Sequence, residues 1–259
     1  MELKTKFAGF SLKGKKALVT GAGQGIGRSL GLGLIEAGAE VSFTDYNLDL
    51  AKKVTKEASD MGGKAHGVFI DVTDLKSIQS GFNEGANLMG GLDILVNNAG
   101  IEQVCDSLSV DEAIWDKIIG VNLKGAFFCA QAAGKIMTDQ GLGSIVNLCS
   151  LTSFVGVPTA TPYTSSKSGL LGMTRSLSSE WAGKGVRVNG IAPGYFKTQL
   201  TDVFYQDEDW RKSMQSKIPM GRFGKMDDLI GAVIFFCSEA SAYVTGQVIA
   251  IDGGYLSAL

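Results

Sequence analysis

The sequence predicts an α/β protein: a single domain built on a doubly wound sheet of about seven parallel strands, with helices on both faces. Three observations predict it. Short apolar runs alternate with helix-length segments along the chain, which implies right-handed βαβ crossovers. The runs are apolar at successive positions, as expected of parallel strands buried on both faces. Glycine is abundant at 35 residues while proline numbers four, a balance that suits tight strand-to-helix turns. Hydrophobic residues at 45% and charged residues at 19% of 259 describe a folded chain with a substantial core, not a disordered one.

The elements follow in order. Residues 16–20 form the first strand and end at a glycine-rich turn. Ile26, Leu30, Leu34 and Ala37 then recur at helical spacing, and Gly38 stops that helix. Further strands are predicted at 40–44, 65–70, 92–96, 144–148, 186–191 and 247–251. Helices are predicted at 48–61, 74–89, 111–138, 163–182 and 226–238. No linker, repeat or low-complexity tract interrupts the pattern. The exception is 195–225, rich in charge and aromatic residues and fitting no sheet element; a long excursion of this kind predicts a substrate lid.

Several function classes are excluded. A net charge of -2 and the lack of a basic run argue against a nucleic-acid partner. The longest apolar run, near 229–237, is far short of the ~18 residues a membrane span needs. Cys105, Cys129, Cys149 and Cys237 share no C-x-x-C spacing and predict reduced thiols. Glu2, Lys4 and Lys6 leave no apolar leader at the start, so the expected location is cytoplasmic. His66 is the single histidine and sits in the predicted third strand, where a structural role is expected. Histidine-based triads and most zinc sites would have to use it, and no metal is predicted.

Thr20-Gly21-Ala22-Gly23-Gln24-Gly25-Ile26-Gly27 links the first strand to the first helix. Glycine lets the backbone turn sharply and approach a ligand, and a helix N-terminus offers N–H groups to a pyrophosphate. The spacing is T-G-x-x-x-G-x-G, distinct from G-x-G-x-x-G, and the strand–turn–helix context predicts dinucleotide binding. Asp45 ends the second strand 24 residues after Gly21. A carboxylate there accepts hydrogen bonds from ribose hydroxyls and repels a 2′-phosphate, so NAD is predicted over NADP. A helix-capping role is the alternative.

Tyr163 and Lys167 are four apart in a helical segment marked by Leu170, Leu171, Thr174, Leu177 and Trp181, hence on one face. An ammonium beside a phenol favours phenolate and brings tyrosine nearer to proton exchange at neutral pH. Ser150 ends the fifth strand, where ligand sites open in α/β sheets, and can hold a substrate oxygen. Asn122 lies in the predicted 111–138 helix and could link Lys167 to solvent through water.

These residues together resemble the short-chain dehydrogenase/reductase family over nearly the whole chain, from about Leu12 to Gly254. The cofactor turn is matched by Thr20 to Gly27, with Gly21, Gln24, Gly25, Ile26 and Gly27 as its contacts. Asp45 matches the acidic dinucleotide residue, Asp71-Val72 the adenine-side pair, and Asn97-Asn98-Ala99-Gly100 the N-N-A-G after the fourth strand. Asn122, Ser150, Tyr163 and Lys167 match the catalytic tetrad, with Ser150 thirteen before Tyr163. Pro193-Gly194 match the turn after the sixth strand, and Thr198 the residue that binds the nicotinamide carboxamide. The resemblance implies a Rossmann-type fold, a nicotinamide cofactor, a small hydroxyl or ketone substrate and a homotetramer packed through 111–138 and 163–182. It implies that Tyr163 takes the hydroxyl proton and Lys167 holds the cofactor ribose hydroxyls. Ser150 would fix the substrate oxygen and Asn122 a relay water.

Substrate choice is expected in 101–110, 151–162 and the 195–225 lid. The stretches 246–257 and Met220-Gly221-Arg222-Phe223-Gly224-Lys225 are similar to those of gluconate 5-dehydrogenases and related ketogluconate dehydrogenases. Glu102 and Asp106 place negative charge near the expected pocket mouth, which disfavours a sugar acid unless Lys197 or Arg211 counters it. The predicted activity is hydride transfer on a polyol, sugar or sugar acid. The alternatives are a 3-oxoacyl-thioester reductase, which predicts NADPH and basic residues near the second strand, and a dinucleotide-binding sensor without turnover.

Overall fold

The computed structural model describes residues 9–197 and 205–258. Its strands are β1 (Lys16–Thr20), β2 (Glu40–Asp45), β3 (Ala65–Phe69), β4 (Ile94–Asn97), β5 (Gly143–Leu148), β6 (Val186–Pro193) and β7 (Val248–Ile251). They form one seven-stranded sheet in the order β3-β2-β1-β4-β5-β6-β7, and every neighbouring pair is parallel. The helices are α1 (Gly25–Glu36), α2 (Leu48–Asp60), α3 (Leu75–Met89), α4 (Glu112–Ile119), α5 (Ala126–Gln140), α6 (Thr161–Trp181), α7 (Glu208–Ser216) and α8 (Asp227–Cys237). The predicted fold class is the observed one.

The sheet divides the core in two. Ala17 and Val19 of β1 point to a layer with Leu30, Leu34, Phe43, Val233 and Phe236, under α1 and α8. Leu18 points the other way, into a layer with Ile78, Phe82, Met137 and Leu177, under α3, α5 and α6. This two-residue alternation is the strand period, and an apolar run fills both layers at once.

Sheet order positions the site. β1 and β4 are neighbours, and the chain winds outward from them in opposite directions. Ligands in open α/β sheets bind at this switch point, beyond the carboxyl ends of the strands. The glycine turn after β1 and Asn98–Gly100 after β4 flank that crevice.

Three expectations need correction. The 111–138 helix is two helices, α4 and α5, joined by a π-helical turn over Gly120–Gly125. A Cβ on Gly125 would stand 2.6 Å from the Val72 carbonyl oxygen, so a neighbouring segment presses on the helix at this turn. The strands are not uniformly buried. β3 and β7 are the sheet edges, and only Val68 of β3 is fully buried. His66, on edge strand β3, bonds Glu40 at 2.8 Å. β4 begins at Ile94 because the Leu92 backbone bonds the Gln140 side chain through both its N–H (3.2 Å) and its carbonyl (2.8 Å). As expected, 195–225, of which 198–204 lie outside the described residues, adds no described strand to the sheet; within it Phe196 and Gly224 form an isolated parallel bridge, and α7 follows an Asp207 cap.

Candidate active site

The glycine turn has the shape of an anion cradle. Gly21 and Gly25 have φ of +60° and +56°, a region that favours glycine. A Cβ on Gly21 would stand 2.9 Å from Ala99 Cα, and one on Gly27 would collide with Asn98 Nδ2 and the Gly21 carbonyl. α2, α3, α4 and α7 carry side-chain caps from Asn47, Asp74, Asp111 and Asp207, whereas α1 has none: Gln24 precedes it in an extended conformation. An uncapped N-terminus beside a glycine turn fits a bound pyrophosphate. Ile26 packs its side chain back against the first core layer.

The turn is braced from both sides. Asp45, 5% exposed, accepts the N–H of Gly23 on Oδ2 (3.0 Å) and of Asn47 on Oδ1 (2.9 Å). From β4, Asn98 Nδ2 donates to the carbonyls of Thr20 (2.8 Å) and Gly21 (3.0 Å). The N–H groups of Asn98 and Ala99 donate to Thr20 Oγ1 at 3.0 and 3.1 Å. Asp71 Oδ1 accepts from the Thr73 N–H and hydroxyl, while Val72 packs on the second core layer. Gly194 follows Pro193 at the end of β6 and donates to the Ile251 carbonyl at 2.9 Å. Thr198 lies outside the described residues.

Tyr163, Lys167, Ser150 and Asn122 converge on the same edge. Lys167 Nζ sits 5.5 Å from the Tyr163 ring centroid and donates to the Leu148 carbonyl at 2.6 Å. The Ser150 hydroxyl accepts the Thr152 N–H at 3.2 Å and lies near enough to the phenol to favour its ionised form. Asn122, 1% exposed, projects from the π-helical turn, a feature frequent at functional sites. Its Oδ1 accepts the Ile101 N–H, and its Nδ2 donates to the Ile101 carbonyl, each at 2.8 Å, and to Ser166 Oγ at 3.2 Å. A Cβ on Gly100 would stand 3.5 Å from both Asn122 Oδ1 and Lys167 Nζ, so the two groups flank that glycine.

A second set of residues, which sequence reasoning missed, holds this group. Asn97 Nδ2 donates to the Ala126 carbonyl (2.7 Å) and Asn147 Oδ1 (3.1 Å). Asn147 Nδ2 then donates to Thr174 Oγ1 (2.9 Å). This buried ladder joins β4, β5 and α6. Ser166 Oγ donates to the Tyr163 carbonyl (2.6 Å) and Ser153 Oγ to the Lys167 carbonyl (2.8 Å). The only visible signal was the N-N-A-G match for Asn97; the others are ordinary polar residues on separate elements.

The electrostatics depart from expectation. The phenol of Tyr163 is not acidified in this structure but pushed well above its ordinary value. Burial is the main cause and the Glu102 carboxylate adds to it, while the Ser150 hydroxyl pulls the other way. Lys167 is lowered to about 8, because burial penalises its ammonium more than Cys149 and Glu102 support it. The spacing correctly suggests adjacency, but desolvation decides the sign.

A stability prediction follows. Between pH 8 and 10.5 the unfolded chain holds a Lys167 proton that the folded chain has released, so this group makes stability rise with pH across that window. The unfolding free energy of the wild type minus that of Lys167→Met should increase by about 3 kcal/mol over it, measured by urea titration. A flat difference would show that the ammonium is not penalised by burial.

Beyond the tetrad, Tyr195 packs edge-on against Trp210 and Tyr255 at 5.9 and 5.2 Å, and Tyr205 against Trp210 and Phe223 at 5.4 and 4.8 Å. The Gly224 N–H donates to the Tyr195 carbonyl at 3.0 Å, tying the two ends of this segment together. A cavity of about 500 Å³ lies at the opposite end of the strands, lined by Lys15, Asp93, Arg187 and Cys237 among others, and none of the tetrad lines it. Among the described residues no group of three or more His, Cys, Asp or Glu could hold a metal. No helix among them is long and apolar enough to cross a membrane.

Known proteins resemble this chain in sequence and fold. A family model described as enoyl-(acyl carrier protein) reductase matches residues 21–256. The gluconate 5-dehydrogenase of Gluconobacter oxydans is 38% identical, covering 95% of this chain and 96% of its own. The 3-oxoacyl-[acyl-carrier-protein] reductase of Thermotoga maritima is 40% identical, covering 94% and 98%. The crystal structure of a gluconate 5-dehydrogenase from Burkholderia cenocepacia, in complex with NADP and tartrate, superposes with a TM-score of 0.95 at 37% identity, over 98% of this chain and 99% of that one. With the matched model spanning most of the chain and these relatives nearly all of it, the protein belongs to the short-chain dehydrogenase/reductase family of oxidoreductases.

Proposed function

We propose that the protein is an NAD-dependent oxidoreductase that moves a hydride between the cofactor and a secondary alcohol or ketone carbon of a polyol, sugar or sugar acid. The observation that carries this is the meeting of Tyr163, Lys167 and Ser150 at the strand edge that also bears the glycine turn. The bound cofactor supplies the hydride acceptor, and its oxidised ring brings a positive charge. Tyr163 accepts the substrate hydroxyl proton. Ser150 holds the substrate oxygen, and its hydroxyl beside the phenol favours the phenolate. Lys167 binds the cofactor ribose hydroxyls, and Asn122 keeps the Ile101 backbone and the Ser166 bridge in register. Asp71, Val72, Ala99, Gly100, Pro193 and Gly194 complete the cofactor cleft.

NAD is preferred because Asp45 puts a carboxylate where a 2′-phosphate would lie; the Burkholderia relative binds NADP, so the choice rests on this residue. Residues 195–225 form the lid, within one domain. A cytoplasmic homotetramer packed through α4, α5 and α6 completes the assignment. Sequence similarity to the Thermotoga enzyme supports a second possibility, reduction of 3-oxoacyl thioesters with NADPH.

The test is absorbance at the reduced-nicotinamide band, with NAD and NADP, against polyols, sugars, sugar acids and a 3-oxoacyl thioester. NAD reduction by a polyol, sugar or sugar acid is expected. Turnover confined to NADPH and the thioester would replace the proposal, and cofactor binding with no turnover would leave a sensor.

A further inference from the structure

Two acidic residues sit in the segment after Gly100, and the structure separates them. Asp106 is exposed and accepts the Leu108 N–H at 2.9 Å, capping the Ser107–Ser109 turn. Glu102 is partly buried, and among the described residues its carboxylate has no hydrogen bond and no ion pair. It is nonetheless firmly placed. Asn122 clamps both backbone groups of Ile101, at 2.8 Å each. Three residues beyond Glu102, the Cys105 N–H donates to the Thr159 carbonyl at 2.9 Å, just before α6 begins. The chain carrying Glu102 is therefore pinned at both ends beside the helix that bears Tyr163 and Lys167.

Electrostatics agrees with that placement. Glu102 acts on Tyr163 and Lys167 on one side and on Tyr195, at the root of the 195–225 segment, on the other. The basic group acting on Glu102 is Lys167, whereas Lys197 and Arg211, the counter-charges weighed above, are both exposed. A carboxylate offers about four acceptor sites and no donor when ionised. Leaving them unmet in a partly buried place is unfavourable, so the natural complement is a ligand rich in hydroxyl donors.

We infer that Glu102 is the substrate-selecting residue of this site: its carboxylate accepts hydrogen bonds from the hydroxyls of a neutral polyol or sugar and repels a sugar acid. The inference rests on the proposed function and narrows it, since gluconate, for which some relatives are named, carries a carboxylate that Glu102 would repel. Neither Glu102 nor Asp106 takes part in the proton transfer itself.

The experiment is calorimetric titration of the NADH-saturated protein, in which an alcohol forms a dead-end complex, with D-glucitol and with D-gluconate, which share a carbon skeleton and differ by a terminal carboxylate. Like charges within one sugar length, in a partly buried site, weaken binding by roughly tenfold or more, so the wild type should prefer glucitol by at least that factor. Glu102→Gln, nearly isosteric, should bring the ratio close to one, largely by improving gluconate. Asp106→Asn should leave the ratio unchanged. Gluconate binding as tightly as glucitol in the wild type, no glucitol binding, or a preference that survives Glu102→Gln would each overturn the inference. Because the readout is equilibrium binding, it is separate from hydride transfer. Selective glucitol binding without NAD reduction would uphold Glu102 and remove the proposed chemistry.

Discussion

Replacing Tyr163 with phenylalanine is expected to lower kcat by about a thousandfold or more while cofactor affinity stays within a few fold, because a positioned proton acceptor contributes roughly 10²–10⁴ in rate. The substitution removes the hydroxyl and keeps the ring that stands 5.5 Å from Lys167 Nζ. Ser150 keeps the Thr152 N–H, and the Tyr163 carbonyl keeps Ser166. The loss of stability should therefore be no more than about 1 kcal/mol, the net worth of one hydrogen bond. Steady-state rates and fluorescence titration of NADH measure the two effects separately. A variant that turns over like the wild type would remove Tyr163 from the chemistry, whereas equal loss of rate and cofactor binding would make it structural.

Asp45→Ala should weaken NAD and reduce the preference for NAD over NADP by about 10- to 100-fold, the range expected for losing charge-assisted hydrogen bonds and a repulsive charge together. Asp45 also binds the N–H groups of Gly23 and Asn47, so the variant loosens the turn that both cofactors use. The ratio of kcat/KM for the two cofactors cancels that shared loss and isolates the charge. Asp45→Asn is a useful companion, since its amide oxygen can still accept one of the two bonds. An unchanged ratio in both variants would leave Asp45 as a clamp of the glycine turn and nothing more.

These two residues illustrate how far the sequence reaches. Tyr163 and Lys167 were legible because a four-residue spacing on a periodic helix is a local property, and Asp45 because it closes an apolar run. The strands were legible for the same reason, as was the doubly wound sheet that alternation implies. What failed depends on contacts between distant segments. The π-helical turn follows from Gly125 facing the Val72 carbonyl, across 53 positions of chain. The start of β4 depends on Gln140, 48 residues away. The ladder Asn97–Asn147–Thr174 unites three elements, and no single segment signals it. The sign of the Tyr163 shift was missed because burial, not spacing, sets the larger effect. Glu102 and Asp106 were equally visible as charges, and only packing distinguishes a cap from an unpartnered carboxylate.

The shift also bears on the proposed chemistry. A phenol raised by burial and by Glu102 must be brought down during proton transfer by groups that favour its ionised form. Ser150 is already placed to do so, and Lys167, lowered to about 8, remains mostly protonated near neutral pH. Two poorly solvated groups held side by side respond strongly to any charge that enters the cleft, which is where a charged nicotinamide ring would have its effect.

The central claim is that hydride leaves a carbinol carbon for the cofactor at this site. Isotope transfer tests it most directly: NAD is incubated with the protein and a polyol substrate deuterated at its secondary carbons, and the recovered cofactor is weighed by mass spectrometry. The account predicts one deuterium per reduced nicotinamide. Reduced cofactor without the label, or label absent because no cofactor is reduced by any polyol, sugar or sugar acid, would contradict it.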